Sequence, residues 1–392
     1  MRYSEFLAEG FGDEDKLKHL EHNEDHVINH GKEGFKHAFH NLEHMHHMLK
    51  GSHNHDSTAT VKYDGSPAVI FGHHPENGKF FVATKSAFNK TPKINHTHKD
   101  IDANHGHAPG LAHKLKLALK HLPKITPKGK IYQADIMHAK DIVQKKGNHL
   151  HFKPNTIDYS VHKDSKEGKA IAKSHIGVAV HTEYKGKSIN GLRAHYNADL
   201  SHLHKHSDVH VISPHHDFHS NRGKYTDAHS KEYTSHMRKA TSAFQKTHDD
   251  AYKHLEQHRD HIKAYINHTV RNNTRPSVAG YAKHYKDKMV KKQGTYKTDK
   301  KRAEVHSTMQ KHRTLIARER QHLKNIFDMH HHLTNAKDHL VKHFSDHKQP
   351  FRAHVGGKSV KPEGVVINRG GRPTKMVDRK EFSRLNFLNS RG

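Results

Sequence analysis

An α+β protein, built on antiparallel sheet and interrupted by one long basic helical segment, is the fold class this sequence predicts. Short β-branched and aromatic runs, punctuated by Gly, Pro and Asn, fill residues 59–185 and return at 363–379. From about 224 to 347 the pattern changes to long charged stretches of helical period. Strands and helices thus fall in separate blocks, unlike the regular alternation of a doubly wound parallel sheet.

Residues 13–50, DEDKLKHLEHNEDHVINHGKEGFKHAFHNLEHMHHMLK, read as two polar helices broken near Gly31. Phe35, Phe39, Leu42 and Met45, at i, i+4, i+7 and i+10, form a narrow apolar packing stripe. TATVKYDGSPAVIFG (59–73) gives two strands about a turn, and HHPENG leads into KFFVATKS, so an antiparallel meander is expected. PGLAHKLKLALKHL (109–122) is helical, with Pro109 suited to a first turn and Pro123 to a stop. Further strands are expected at KIYQADIM, NTIDYSV and HIGVAVHTEY. In the charged segment apolar residues are sparse, but Leu315, Ile316, Leu323, Ile326, Phe327, Leu333 and Leu340 supply one seam, which predicts a helical hairpin or small bundle. Strands return at EGVVIN (363–368) and TKMVDR (374–379). The expected organisation is N-terminal helices over 11–50, a β-rich body over 51–213 that resumes over 350–392, and a helical insertion over 214–349.

Composition limits the partners. Of 392 residues, 32% are hydrophobic and 7% aromatic, and the mean hydropathy is −1.02, so much of the chain must be solvated. Lys and Arg outnumber Asp and Glu by 68 to 40, a formal charge of +28, which is the balance of a protein that works beside a polyanion such as nucleic acid. No apolar run of about 20 residues spans a bilayer, and no signal-peptide core follows Met1. With no cysteine, disulfides, thiolate nucleophiles and Cys-based zinc sites are all excluded, and an intracellular setting is expected. The 51 histidines are spread along the whole chain. HLEHNEDH, HMHH and the His330–His332 run invite zinc, but no H-E-x-x-H occurs and no cysteine completes a set. They read instead as solvated charge that rises beside phosphate.

The chemistry centres on KYDG. Lys62 arrives at a strand end, Gly65 allows a sharp turn, and SPAVIFG leads out as the next strand, so the amine is held on a rigid support. In these residues the chain resembles the covalent nucleotidyltransferases, the superfamily of ATP-dependent DNA and RNA ligases and mRNA capping enzymes. KYDG is similar to their motif I. In the family's order there follow a basic residue on the hairpin partner strand (Lys85 in ATKS), a strand ending in an acid (Asp135 in YQAD), EGVVI with Glu363 like motif IV, and TKMV with Lys375 like motif V. The resemblance covers roughly residues 59–185 and 350–385.

The resemblance implies that Lys62 attacks the α-phosphate of ATP and becomes a lysyl-AMP. Lys375 and Lys85 would hold the phosphates and lower the pKa of Lys62 by like-charge repulsion. Asp64 and Gly65 would belong to the nucleotide-binding loop, Glu363 would position Mg2+ or Mn2+, and Asp135 would meet the ribose hydroxyls or the metal. The adenylate would pass to a 5′-phosphate end that a 3′-hydroxyl then seals. Three features depart from the family: Asp135 stands where glutamate is usual, motif V offers one lysine where two are usual, and the base-stacking aromatic is open among Tyr159, His181 and Tyr184. DNA ligases and capping enzymes carry an oligonucleotide-binding barrel after motif V. Only 17 residues follow Lys375, so no such barrel is expected and the RNA-ligase-like branch fits better, with RNA ahead of DNA as substrate. The basic helices would then track the phosphate backbone.

MRYSEFLAEG resembles the leader of internal head proteins of T4-type tailed phages, cut after Leu-x-Glu, with Leu7 and Glu9 in place over residues 1–10. This supplies a rival function: a packaged nucleic-acid-binding protein in the phage head whose nucleotidyltransferase fold no longer catalyses. The enzyme reading places the protein in the host cytoplasm.

Overall fold

Burial on both faces of AVIFGH shows how the sheet is built. Val69 and Phe71 pack under the helix Pro109–His121, while Ile70 faces Phe81, Tyr184 and Leu192 on the other side. A strand covered on both faces reads as a continuous apolar run. The structure, a computed structural model, describes residues 20–52, 57–215, 225–344, 350–360, 364–370 and 372–379. The leader proposed over 1–10 and Glu363 lie outside the described residues.

The chain divides into two units: residues 1–20, 56–217 and 346–373 form the first, and 21–55, 218–345 and 374–392 the second. The described strands, in chain order, are β1 (Ser57–Val61), β2 (Ala68–His73), β3 (Phe80–Ala83), β4 (Ile131–Ala139), β5 (Gln144–Lys146), β6 (His149–Phe152), β7 (Asp158–His162), β8 (Ile176–Lys185), β9 (Arg193–Tyr196), β10 (Val209–Ile212), β11 (Arg352–Val355), β12 (Lys358–Val360), β13 (Gly364–Arg369) and β14 (Arg372–Val377).

In the first unit a six-stranded sheet runs β10-β8-β4-β2-β3, with β9 paired to β8. Its pairs are antiparallel except β10 with β8. One face is covered by Pro109–His121, which has its proline in the first turn. The helix His98–His105, closed by a Thr97–Asp100 capping box, precedes it. A second, five-stranded sheet runs β12-β11-β7-β6-β5. Its core is aromatic: Phe152 stacks on Tyr159 at 5.6 Å and meets Phe351 edge-on at 5.4 Å. The mixed α+β class with antiparallel sheets is thus established.

The second unit is helical. His26–Leu49 bends at Gly31, which sits at φ 57°, a conformation that L side chains avoid. The bend lets the Tyr252 ring approach to 3.3 Å from where a Cβ would stand. Phe35, Leu42 and Met45 of the predicted stripe are buried. Between 225 and 344 lie six helices, Asp227–Gln245, Asp249–Gln257, Arg259–Arg271, Val278–Gly294, Asp299–Arg318 and Arg320–Phe344, rather than a hairpin. The last of them packs on Asp227–Gln245 and on His26–Leu49. All the seam residues except Leu315 are buried.

This helical core also contains charge. Lys337 Nζ donates to Glu24 Oε1 at 2.8 Å, and both side chains are 0% exposed. Beside them Asp25 accepts from Arg379 at 2.9 Å and meets His330 at 3.0 Å. Burial pushes the Glu24 carboxyl up, but Lys337, His22 and Arg379 together outweigh it and hold Glu24 at about 2. Burial dominates at Asp338, which is pushed up to about 6.

Candidate active site

Strand β1 delivers Lys62. It pairs antiparallel with β13 from Ser57↔Arg369 to Val61↔Val365, and the Lys62 main-chain N–H continues the ladder to the Gly364 carbonyl at 2.9 Å. On its other side Val61 N–H donates to the Pro214 carbonyl at 2.6 Å. Two segments that are some 300 residues apart in sequence are therefore locked in register, and the residue after Glu363 is bonded to the proposed nucleophile's own backbone.

The residues after Lys62 are anchored one by one. Tyr63 is buried against Tyr159 and Phe351, with ring centroids at 6.3 and 6.1 Å. Asp64 turns to the loop before β7: its carboxylate accepts from Asn155 Nδ2 at 2.8 Å, Thr156 N at 2.8 Å and Ile157 N at 3.0 Å. Its own N–H donates to the Tyr159 hydroxyl at 2.8 Å. With three donors on it, the carboxylate holds the loop in place. Gly65 is required for a reason other than turning: a Cβ there would lie 2.6 Å from Asp135 Cβ and 2.9 Å from Met137 Sδ. The Lys62–Gly65 segment thus lies directly on β4 at Asp135.

A small cleft of about 90 Å³ opens where these elements meet. Lys62, Asp135, His181, Tyr196, Asn197 and Asn368 are its polar lining. His181 Nε2 lies 3.8 Å from Asp135 Oδ1. Asn368 Nδ2 donates to the Tyr196 carbonyl at 3.1 Å, and Asn197, in the left-handed region at φ 70°, donates its N–H to the His181 carbonyl at 3.0 Å. The side-chain oxygens of Asn197 and Asn368 are buried and accept no hydrogen bond. A buried acceptor without a donor is costly, and both residues line this cleft.

Of the residues singled out in the sequence, Lys62 and Asp135 line this cleft, and Asp64 and Gly65 are not part of its lining. Lys85 opens the short 3-10 turn Lys85–Phe88 after β3. Antiparallel pairing (Ile70↔Ala83, Ala68↔Asp135) puts the end of β3 and Asp135 at one end of the sheet, but Lys85 is not part of the cleft lining. Lys375 sits on β14 where the chain has entered the second unit, and its N–H donates to the Glu21 carbonyl at 3.0 Å. Among the three aromatic candidates, only His181 lines the cleft. Tyr184 is buried and donates to Gln133 Oε1 at 2.7 Å, and Tyr159 belongs to the core of the second sheet. Tyr196, Asn197 and Asn368 went unread. Asn197 and Asn368 follow strands directly or close them, a weak cue in a chain with so many polar residues.

The fold and the cleft define an α+β protein with a lysine at a strand end beside a small cleft. The chain belongs to a family of unknown function (DUF6267), whose model matches residues 15–391. No curated protein and no solved structure matches it. Among the described residues, no helix is long and apolar enough to cross a membrane.

Proposed function

We propose that this protein is an ATP-dependent, RNA-ligase-like nucleotidyltransferase in which Lys62 carries the nucleotide. The observation that carries the reading is the β1–β13 pairing, which joins KYDG to EGVVI across the chain and seats Lys62 on the rim of a cleft that also holds Asp135. Two motifs that the resemblance pairs in sequence order are thereby neighbours in space, as a shared nucleotide site requires.

The chemistry follows from the groups present. Lys62 Nζ attacks the α-phosphorus of ATP; the N–P bond forms as the bond to the bridging oxygen of the β-phosphate breaks, pyrophosphate leaves, and the amine gives up a proton. A 5′-phosphate end of a nucleic acid then displaces the lysine and takes the adenylate, and a 3′-hydroxyl seals the strand with release of AMP. The Asp135 carboxylate on the cleft wall is a hard oxygen ligand, the class Mg2+ takes, and would help hold the metal that would neutralise the phosphates. The net charge of +28 fits a polynucleotide substrate.

Incubation with α-labelled ATP and Mg2+, followed by denaturing electrophoresis, tests this. Label should stay on the wild-type chain and vanish in Lys62→Ala. A folded wild type that takes no label with Mg2+ or Mn2+ refutes the enzyme. It leaves the packaged, non-catalytic nucleic-acid-binding protein, a reading favoured by the single lysine of motif V and by the charge.

A further inference from the structure

Glu21, His26 and His30 of the second unit stand together without any role in the cleft. Glu21 Oε2 lies 3.0 Å from His26 Nδ1 and 3.0 Å from His30 Nε2, and the three ligand atoms all fall within 4.8 Å of one another. His26 and His30 share a helix face four residues apart.

One consistent direction of the hydrogen bonds around Thr374 places the His26 proton on Nε2. They start from a backbone acceptor: Asn23 Nδ2 donates to the Ala38 carbonyl at 3.0 Å. Asn23 Oδ1 then accepts from Asn41 Nδ2 at 3.2 Å. Asn41 Nδ2 is thus a donor, and it also faces His37 Nε2 at 3.1 Å and Thr374 Oγ1 at 3.3 Å. With the second Asn41 proton placed on Thr374 Oγ1, the Thr374 hydroxyl donates to His37 Nε2, 3.2 Å away. Thr374 Oγ1 is left to accept from His26 Nε2 at 3.1 Å. With the proton on Nε2, neutral His26 presents the bare lone pair of Nδ1 to the Glu21 carboxylate. Two acceptors do not face each other at 3.0 Å unless a positive charge lies between them.

The geometry points to a divalent transition-metal site, of the zinc class, formed by Glu21 Oε2, His26 Nδ1 and His30 Nε2. Two imidazoles and one carboxylate are a three-ligand zinc set with a fourth position for water, and imidazole selects zinc-class ions over magnesium. Bonds of about 2.0–2.1 Å in a tetrahedron space the donors by about 3.3 Å, so the 3.0 Å contacts need open only slightly. Thr374 acts as the outer partner that orients a ligating histidine through its other nitrogen. The side chains of His30 and Glu21 are 41% and 30% exposed, so an ion can enter.

The test uses the full chain stripped with a chelator, with Co2+ as optical probe and Zn2+ as competitor. Because other histidines bind metal weakly, the reading is by difference. Wild type should bind one Co2+ with tetrahedral d–d absorption that Zn2+ abolishes, and this band should be lost in Glu21→Gln and in His30→Ala. These sites are exposed enough to leave folding intact, which circular dichroism checks. Thr374→Val should keep the band with affinity about 10–100-fold weaker. His98→Ala, an exposed histidine of the first unit, should change nothing. A band that persists in both Glu21→Gln and His30→Ala overturns the proposal. So does a 15N spectrum that shows His26 protonated on both nitrogens with Zn2+ in excess, for then a proton fills the gap.

Discussion

Replacing Lys337 by Met tests the charged core of the helical unit. The substitution keeps the length and apolar stem of the side chain and removes the ammonium that sits 2.8 Å from Glu24 Oε1. Glu24 Oε2 has no hydrogen-bond partner, and the remaining cation near the carboxylate is Arg379, at 3.9 Å. Stranding a fully buried carboxylate costs about 3–5 kcal/mol. For a body of this size each kcal/mol lowers the melting temperature by about 2–4 °C, so a drop of roughly 6–20 °C is expected. Urea unfolding followed by far-ultraviolet circular dichroism measures it, since the helices dominate that signal. Glu24→Leu combined with Lys337→Met should recover most of the loss, because an apolar pair needs no counter-charge. The acid limb gives a second reading. With its folded value held at about 2 against 4.5, Glu24 contributes stability that is complete above about pH 4.5 and lost as pH falls toward 2. In Lys337→Met that limb should move to higher pH. A single variant that loses under about 1 kcal/mol, or a double variant as unstable as the two losses added, would refute the reasoning.

Gly65→Ala should destabilise the first unit by about 1–3 kcal/mol, since the new methyl meets Asp135 Cβ at 2.6 Å. It should also abolish labelling by ATP, and an unchanged urea midpoint would contradict the close approach. His138, buried in the first unit, is held down to about 3 by desolvation and by its neighbour His210. Below pH 6.5 the unfolded chain binds a proton there that the folded chain refuses, so stability falls with pH. The loss at pH 5 is about 2 kcal/mol, and the His138 ring resonances should stay constant from pH 8 to 5.

Much of the frame was legible because period and punctuation are local. Pro109 marked its helix, Gly31 its bend, and the β-branched runs gave β2, β4 and β8. The strands at TATV and EGVVIN were each readable, but their pairing as β1 with β13 is visible in neither segment alone. The misses share a cause. β5, β6, β9, β11 and β12 read QKK, HLHF, RAHY, RAHV and KSV, where histidine and lysine fill the solvent face and erase the β-branched signature. The Lys337–Glu24 pair was hidden because a buried lysine looks like any other in a chain with 68 basic residues. Lys375 was grouped with the first body because its strand follows EGVVIN closely, yet the boundary between units falls one residue before it, at Thr374.

The pairing of β1 with β13 also has a temporal side. A ribosome adding about 5–20 residues per second needs roughly 15–60 s to travel from one partner to the other. Throughout that interval TATV remains an apolar strand with an open edge, a hazard for wrong pairing. The helical block is synthesised meanwhile, and it has ample time to fold before the last strands emerge. Completion of the cleft therefore waits for β13 to emerge, and a chain released before that point would carry Lys62 without the whole cleft lining.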